Sequence, residues 1–172
     1  MSFLELVRER YSVRKYKPIA VEQEKLAMIL EAGRVAPTAA NFQPQRVLVL
    51  TEKDGLAKIN KTANTFKAPL VLLVCADTSE SWERPVDKKS FADIDASVVT
   101  TQMMLQATEL GLGTVWIGIF DPADIKTTFN LPEELEPINI LAIGYADEEP
   151  ASSQRHSETR KGLNETVFYE EI

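Results

Sequence analysis

Residues 91–110 read FADIDASVVTTQMMLQATEL, a segment that predicts one long helix with apolar side chains around most of its circumference. Ile94, Val98 and Leu105 fall on one row of that helix, and Val99 and Met103 fall on another. A helix that is apolar nearly all round must be covered on all sides. In a chain of 172 residues this places the helix at the centre of one domain or between two copies of it, so an oligomer is expected.

The flanking segments predict an alternation of strands and helices. Apolar runs rich in β-branched residues predict strands at 46–51, 70–76, 114–119 and 138–145. Amphipathic spacing predicts helices at 2–9, 22–34, 53–63 and 122–129. Because the two ends of this alternation are unlike, the pattern favours an α+β fold with a mixed sheet flanked by helices. Residues 1–172 contain no repeat or linker, which predicts a single domain whose polar tail, 146–172, is extended.

Composition excludes several classes of function. Nineteen basic and 26 acidic residues give a formal charge of −7, which repels nucleic acid and anionic membranes. The longest apolar run, 70–76, is too short to cross a bilayer, and the first ten residues do not resemble a signal peptide, so a cytoplasmic location is expected. The single Cys75 is expected to pack in a strand rather than to form a disulfide.

The sequence contains few of the side chains that usually act as nucleophiles or metal ligands. His156 is the only histidine, no Gly-x-Ser-x-Gly motif presents a nucleophile, and His156 with Cys75 cannot build a zinc or iron site, so no metal is expected. The glycines at 111, 113 and 118 follow a helix and enter a strand, the reverse of the dinucleotide fingerprint. Asp93 and Asp95 fit the N-terminus of a helix better than a catalytic pair. If the protein is an enzyme, an organic cofactor supplies its chemistry.

Two segments suggest a ligand. In an extended segment Arg10, Ser12 and Arg14 point to the same side and can receive a phosphate, although a solvated basic turn explains the same spacing. The loop at 36–44 reads APTAANFQP, whose small residues and prolines let a flat ligand approach while Asn41 and Gln43 offer hydrogen bonds. A purely structural loop is the alternative there.

Taken in order, five motifs resemble the FMN-dependent nitroreductase family, in the form of a short bacterial-type member. They are RYSVRKY at 10–16, APTAANFQP at 36–44, DA at 95–96 leading to QMMLQA at 102–107, GLGTVWIG at 111–118 and RK at 160–161. The resemblance covers nearly the whole chain. It implies an α+β fold in an intertwined homodimer, with FMN held non-covalently at the subunit interface and the tail contacting the partner subunit.

The resemblance also assigns the residues that bind the cofactor. Arg10 and Ser12 would reach the ribityl phosphate, Arg14 would contact the pyrimidine edge and supply positive charge there, and Arg160 with Lys161 would close on the phosphate. Ile117 and Gly118 would let the ring lie close at N5, and Asn64 with Lys67 form a weaker flavin-edge pair. The other subunit would contribute Pro37, Thr38, Asn41 and Gln43.

The activity implied by the resemblance is a ping-pong NAD(P)H oxidoreductase that passes hydride through flavin N5 to nitroaromatic, quinone or similar acceptors, with no catalytic side chain required. The stretch between Asp77 and Ser90 is short, so Trp82, Phe66 or Phe120 could cover part of the outer face of the flavin, although packing explains each of them better. Two alternatives stay open: a flavin-binding module or specialised flavin enzyme, such as a dehalogenase or azoline oxidase, and a cofactor-free interaction protein.

Overall fold

A computed structural model describes residues 1–152 and 154–171, and within those residues it contains seven α-helices, one short 3-10 helix (Ala39–Asn41) and four strands. The helices are α1 (Phe3–Glu9), α2 (Gln23–Arg34), α3 (Lys53–Thr62), α4 (Ala92–Glu109), α5 (Pro122–Phe129), α6 (Arg155–Thr159) and α7 (Leu163–Thr166). The strands are β1 (Gln45–Leu50), β2 (Leu70–Asp77), β3 (Gly113–Ile117) and β4 (Leu135–Gly144). The α+β prediction is therefore confirmed.

The sheet has the order β1-β2-β4-β3, and all three of its ladders are antiparallel. The sequence predicted a sheet with both parallel and antiparallel strands. Within the described residues, the parallel pairing consists of one isolated bridge between Ser12 and Thr114. The reason is visible at the pair Leu50 and Val71, which face each other across β1 and β2. The chain leaves β1 at this end of the sheet, forms α3 and enters β2 at the same end. Because the connection does not cross to the other end of the sheet, β1 and β2 run in opposite directions.

Strand β2 forms the centre of the core, and both of its faces are covered. Leu70, Leu72 and Val74 join the cluster beneath α2 and α4, whereas Val71 and Leu73 join the cluster beneath α3 and α5. All five side chains are fully buried. Each such side chain stabilises the fold by roughly 1.5–3 kcal/mol, which explains why β2 reads as an uninterrupted apolar run.

Strand β4 starts three residues earlier than its sequence pattern predicts. Pro137 interrupts that pattern because proline cannot donate to a ladder. In the fold, Pro137 pairs with Cys75 while Asn139 pairs with Val74, so one extra residue of β4 is accommodated as a bulge.

One face of α4 stays without cover in the described chain. Val99 and Met103 are fully buried against the core. Ile94 remains 39% exposed, and Met28 of α2 is 49% exposed. An apolar groove of about 780 Å³ runs between α1, α2 and α4, with Leu105 in its wall. The expectation of burial on all sides is thus only half met within one chain, and the homodimer stays a prediction.

The tail is not wholly extended as predicted, because it contains the short helices α6 and α7. Gly162 and Glu165 start α7 through reciprocal hydrogen bonds, with the Gly162 N–H donating to the Glu165 carboxylate at 2.8 Å. These local hydrogen bonds form in polar sequence and leave no periodic apolar signal. Ser153 and Ile172, which belong to the predicted tail, lie outside the described residues. Contact of the tail with a partner stays a prediction.

No helix within the described ranges is both long enough and apolar enough to cross a membrane.

Candidate functional site

Four arginine side chains line one small cavity, called here the arginine cavity, of about 370 Å³. They are Arg10, Arg14, Arg155 and Arg160. The other described lining residues are Tyr11, Ser12, Ala151, His156 and Thr159, none of which is acidic. Such a concentration of guanidinium groups in a protein of charge −7 is a site for an anion with several oxygen atoms, such as a phosphate.

The segment carrying Ser12 and Arg14 is held against the edge of the sheet. The Val13 N–H donates to the Thr114 carbonyl at 2.9 Å, and the Val13 side chain is only 1% exposed. Because side chains alternate in an extended segment, Ser12 and Arg14 then face away from the core. The sheet edge therefore aims both residues at the arginine cavity, as the sequence spacing predicted.

Burial and neighbouring positive charges both affect the pKa of Arg10. Burial lowers the pKa of its guanidinium below the ordinary value, and the charges of Arg155 and Arg160 lower it further. One nearby acid offsets part of this charge, since the Glu148 carboxylate accepts a hydrogen bond from the Arg14 backbone N–H at 3.1 Å. A bound anion would relieve the remaining repulsion among the arginines.

A second and larger cavity of about 890 Å³ lies along the end of β3 and is called here the β3 cavity. Arg14 lines both cavities, so the two adjoin at that side chain. The described lining of the β3 cavity consists of Arg14, Asn60, Lys61, Thr62, Ala63, Asn64, Phe66, Val115, Trp116, Ile117, Gly118, Ile119, Phe120 and Asp121. This wall is apolar and aromatic with a polar rim, which suits a flat ring.

Gly118 leaves room in this wall. A Cβ atom placed on Gly118 would have no described atom within 4 Å, so packing in this chain does not require glycine there. The next residue, Ile119, is 89% exposed although it is a large apolar side chain. Open space beside an uncovered apolar residue is what a ring-binding surface requires before the ring is present.

Of the two residues predicted to contact the edge of the flavin, Asn64 and Lys67, one lines the β3 cavity and the other does not. Asn64 lines the β3 cavity, and its side chain accepts a hydrogen bond from the Phe66 N–H at 3.0 Å. Lys67 does not line the cavity in this chain; it follows Phe66 in a turn where both residues have a φ of 56°. Lys161 likewise does not line the arginine cavity, although its neighbour Arg160 does.

Of the three aromatic residues considered for the outer face, two line the β3 cavity and one does not. Phe66 and Phe120 belong to its wall. Trp82 instead meets Phe91 edge to face, with ring centroids 4.7 Å apart, and it does not line the cavity in this chain.

The loop at 37–43 does not line either cavity of its own chain. Pro37, Asn41 and Gln43 are exposed, and Thr38 is half-buried with its hydroxyl accepting from the Gln43 N–H at 3.1 Å. Three residues there have positive φ: Ala40, Asn41 and Gln43. A backbone held in that region costs free energy and is kept where its shape is needed. The loop is held in this shape by its own hydrogen bonds and faces outward, as it must if it serves a second subunit.

Asp95 is the residue that anchors this loop, and it is only 2% exposed. Its carboxylate accepts a hydrogen bond from the Ala39 N–H at 2.9 Å, while its second oxygen has no hydrogen-bond partner among the described residues. Sequence reasoning gave Asp95 a favourable place at the start of the helix. Its contact with a loop 56 residues away could not be read from spacing.

Sequence reasoning also missed Arg155 as part of the arginine cavity. The segment at 155–161 contains Arg155, Arg160 and Lys161, but the family motif assigned a role only to Arg160 and Lys161. The only available signal for Arg155 was its charge.

The two adjoining cavities define a site for a small molecule with an anionic end and a flat apolar end. Comparison with known proteins agrees with this description of the fold. The model of the nitroreductase family matches residues 7–66 and 61–145. The chain therefore belongs to the nitroreductase family.

Individual relatives extend the comparison. A crystal structure of a nitroreductase family protein from Clostridium difficile 630 is 51% identical, with a TM-score of 0.98 and full coverage of both chains. An FMN-dependent nitroreductase from Clostridium difficile R20291 is 28% identical, with a TM-score of 0.82, covering 99% of this chain and 100% of that one. An FMN reductase of Bacillus subtilis that uses NAD(P)H by its name is 28% identical, covering 91% of this chain and 71% of the relative.

Proposed function

We propose that this chain is a cytoplasmic, homodimeric FMN-dependent oxidoreductase that takes electrons from NADH or NADPH and delivers them to nitroaromatic, quinone or similar acceptors. The observation that carries the proposal is the junction of the arginine cavity with the β3 cavity at Arg14. Membership of the nitroreductase family and the names of the relatives support the same cofactor and electron donor.

The described residues fit FMN at both ends of the molecule. A phosphate monoester carries about two negative charges near neutral pH, and the arginine cavity is lined by four guanidinium groups and the Ser12 hydroxyl. The flavin ring suits the apolar wall formed by Ile117 and Phe120, with Gly118 leaving space in front. When bound, FMN would supply hydride transfer, which no side chain of this protein can perform.

Arg14 has the position from which a side chain can influence both ends of the ligand. Its guanidinium donates to the Ser12 carbonyl at 3.3 Å, so it is held beside the segment that faces the phosphate. A fixed positive charge at the edge of an apolar cavity stabilises added negative charge more than the same ion does in water. We assign Arg14 this electrostatic role and assign no residue the role of general acid or base.

The homodimer is proposed from two surfaces that the single chain leaves incomplete. The apolar face of α4, containing Ile94, is uncovered, and the loop at 37–43 faces away from both cavities of its own chain. A partner that covers α4 and brings its own loop to the β3 cavity would complete both. The tail, with Phe168 and Tyr169 exposed, offers further apolar contacts to that partner.

The dimer is tested by Ile94→Asp, measured by light scattering and FMN titration. The variant is expected to shift the protein to monomers and to weaken FMN binding, because a buried charge opposes association. Val86→Asp is the matched control, since Val86 is 88% exposed at a hairpin tip and its change should alter neither quantity. A monomeric wild-type protein that binds FMN normally would contradict the proposed assembly.

The activity is tested on the purified protein supplied with FMN. It should bind the flavin, its yellow colour should bleach without oxygen on addition of NADH or NADPH, and the colour should return with a nitroaromatic or a quinone. Flavin that binds but is not reduced by either nucleotide would favour a flavin-binding module or specialised flavin enzyme. Protein that binds no FMN would favour an interaction protein.

A further inference from the structure

The side chain of Arg155 joins the C-terminal tail to the end of α1. Its Nη2 donates to the Arg8 carbonyl at 2.6 Å and to the Arg10 carbonyl at 2.8 Å. Its Nη1 donates to the Ser152 carbonyl at 2.8 Å. Since the last carbonyls of a helix lack partners within the helix, one guanidinium here satisfies two carbonyls at the end of α1 and one in the tail.

These contacts give Arg155 a different role from the other arginines of the cavity. Within residues 1–152 and 154–171, the guanidinium groups of Arg10 and Arg160 make no hydrogen bonds and remain available to an anion. The terminal nitrogens of Arg155 are instead committed to carbonyl oxygens. Helix α6 begins at Arg155, and it carries Thr159 and its C-terminal neighbour Arg160 to the same cavity.

His156, the next residue of the tail, also contacts the end of α1. The His156 Nε2 lies 3.0 Å from the Arg8 carbonyl, so two consecutive tail residues meet the end of α1. The start of the tail is attached separately, through the Glu148 carboxylate and the Arg14 N–H, whereas α6 meets the end of α1 at this junction. Without Arg155, the His156 contact would be the one remaining hydrogen bond among the described residues between α6 and the end of α1.

We propose that Arg155 is a positioning residue that docks the tail on the end of α1 and thereby completes the phosphate end of the cofactor site. It acts through Arg160 and Thr159 rather than as the main phosphate ligand. The part of this inference that concerns the ligand, FMN, rests on the proposed function. The docking of the tail does not depend on any ligand and can be tested without one.

The first test measures docking in flavin-free protein. A glutamyl endopeptidase that cuts after Glu158 should cleave Arg155→Met several times faster than wild type, since the released tail exposes its backbone. Arg160→Met is the matched control and should be cleaved at the wild-type rate. Equal cleavage of Arg155→Met and wild-type protein would overturn the proposal, whether or not FMN binds.

The second test compares FMN with riboflavin, which has the same ring and no phosphate. Arg155→Met should weaken FMN binding about tenfold or more and leave riboflavin binding within about twofold of wild type, as for lost charge-assisted hydrogen bonds to a phosphate. Arg155→Lys keeps the charge but cannot form the same set of hydrogen bonds, so it should restore little of the FMN affinity. Millimolar guanidinium ion added to Arg155→Ala should restore part of it.

The outcomes separate the two proposals. Wild-type protein that binds neither flavin would contradict the proposed function, while the cleavage test would still decide the docking. Full restoration of FMN affinity by Arg155→Lys, with its tail still cleaved as fast as that of Arg155→Met, would make Arg155 a direct phosphate ligand and overturn the positioning role.

Discussion

Gly113 at the start of β3 connects the packing of the sheet edge to the geometry of the site. A Cβ atom at this position would lie 2.5 Å from Cγ2 and 2.9 Å from Cβ of Val13, whereas ordinary contacts begin at 3.4 Å. Val13 is β-branched, buried and hydrogen-bonded to Thr114, so it cannot rotate away. In Gly113→Ala the segment carrying Ser12 and Arg14 must therefore move outward by about 0.9 Å.

Overpacking of this kind costs about 1–3 kcal/mol. For a chain of this size each kcal/mol lowers Tm by roughly 2–4 °C, so flavin-free Gly113→Ala should unfold roughly 2–12 °C below wild type. Its affinity for FMN should fall as well, because Ser12 and Arg14 move with Val13. Thermal unfolding followed by circular dichroism gives the first quantity, and quenching of flavin fluorescence gives the second.

Gly118→Ala is the matched comparison, with the opposite balance of effects. Its added Cβ meets open space, and its backbone lies outside the positive-φ region. Stability should stay level or rise by up to about 1 kcal/mol, because alanine restricts the unfolded chain, while FMN affinity should fall if the ring occupies that space.

Combining Gly113→Ala with Val13→Ala removes the clashing methyl groups, so the loss should be smaller than the sum of the single losses. The reasoning is wrong if Gly113→Ala melts like wild type, or if Gly118→Ala lowers Tm as much as Gly113→Ala does.

The remaining predictions concern the arginines and alkaline pH. Arg10→Ala should weaken FMN binding by about 1.5–3 kcal/mol, whereas Arg14→Ala should mainly slow reduction by NAD(P)H; equilibrium titration and stopped-flow absorbance measure the two effects. Arg34→Ala is the control, since it removes an exposed arginine that is paired with Glu31 and lines neither cavity, and it should change neither quantity. Burial raises the pKa of the Cys75 thiol from 9.0 to about 12. The folded state therefore holds this proton more tightly, so its contribution to stability is complete below pH 9 and is lost as the pH rises towards 12. The urea midpoint should fall over that interval, less steeply in Cys75→Ala, and a pH-independent midpoint would contradict this assignment. Burial raises the pKa of Tyr16 as well, so some decline should persist in Cys75→Ala.

Local pattern determined much of this protein. The continuous apolar run of β2 and the spacing of α4 required no knowledge of distant contacts, because burial on both sides of an element leaves its mark on every residue of that element. The alternation at Arg10, Ser12 and Arg14 predicted a shared direction for the same local reason. The resemblance of the motifs to the nitroreductase family then indicated FMN as the ligand of these residues.

Contacts between distant segments were decided only in the folded chain. The return of α3 to the same end of the sheet, the bulge that admits Pro137 and the hydrogen bond from Ala39 to Asp95 each depend on which segments meet. The same holds for Arg155, whose charge is visible in the sequence but two of whose acceptor carbonyls lie 145 and 147 residues away. A single side chain carries no periodic signal, so its partners are fixed only when tertiary packing brings the backbone of α1 beside the tail.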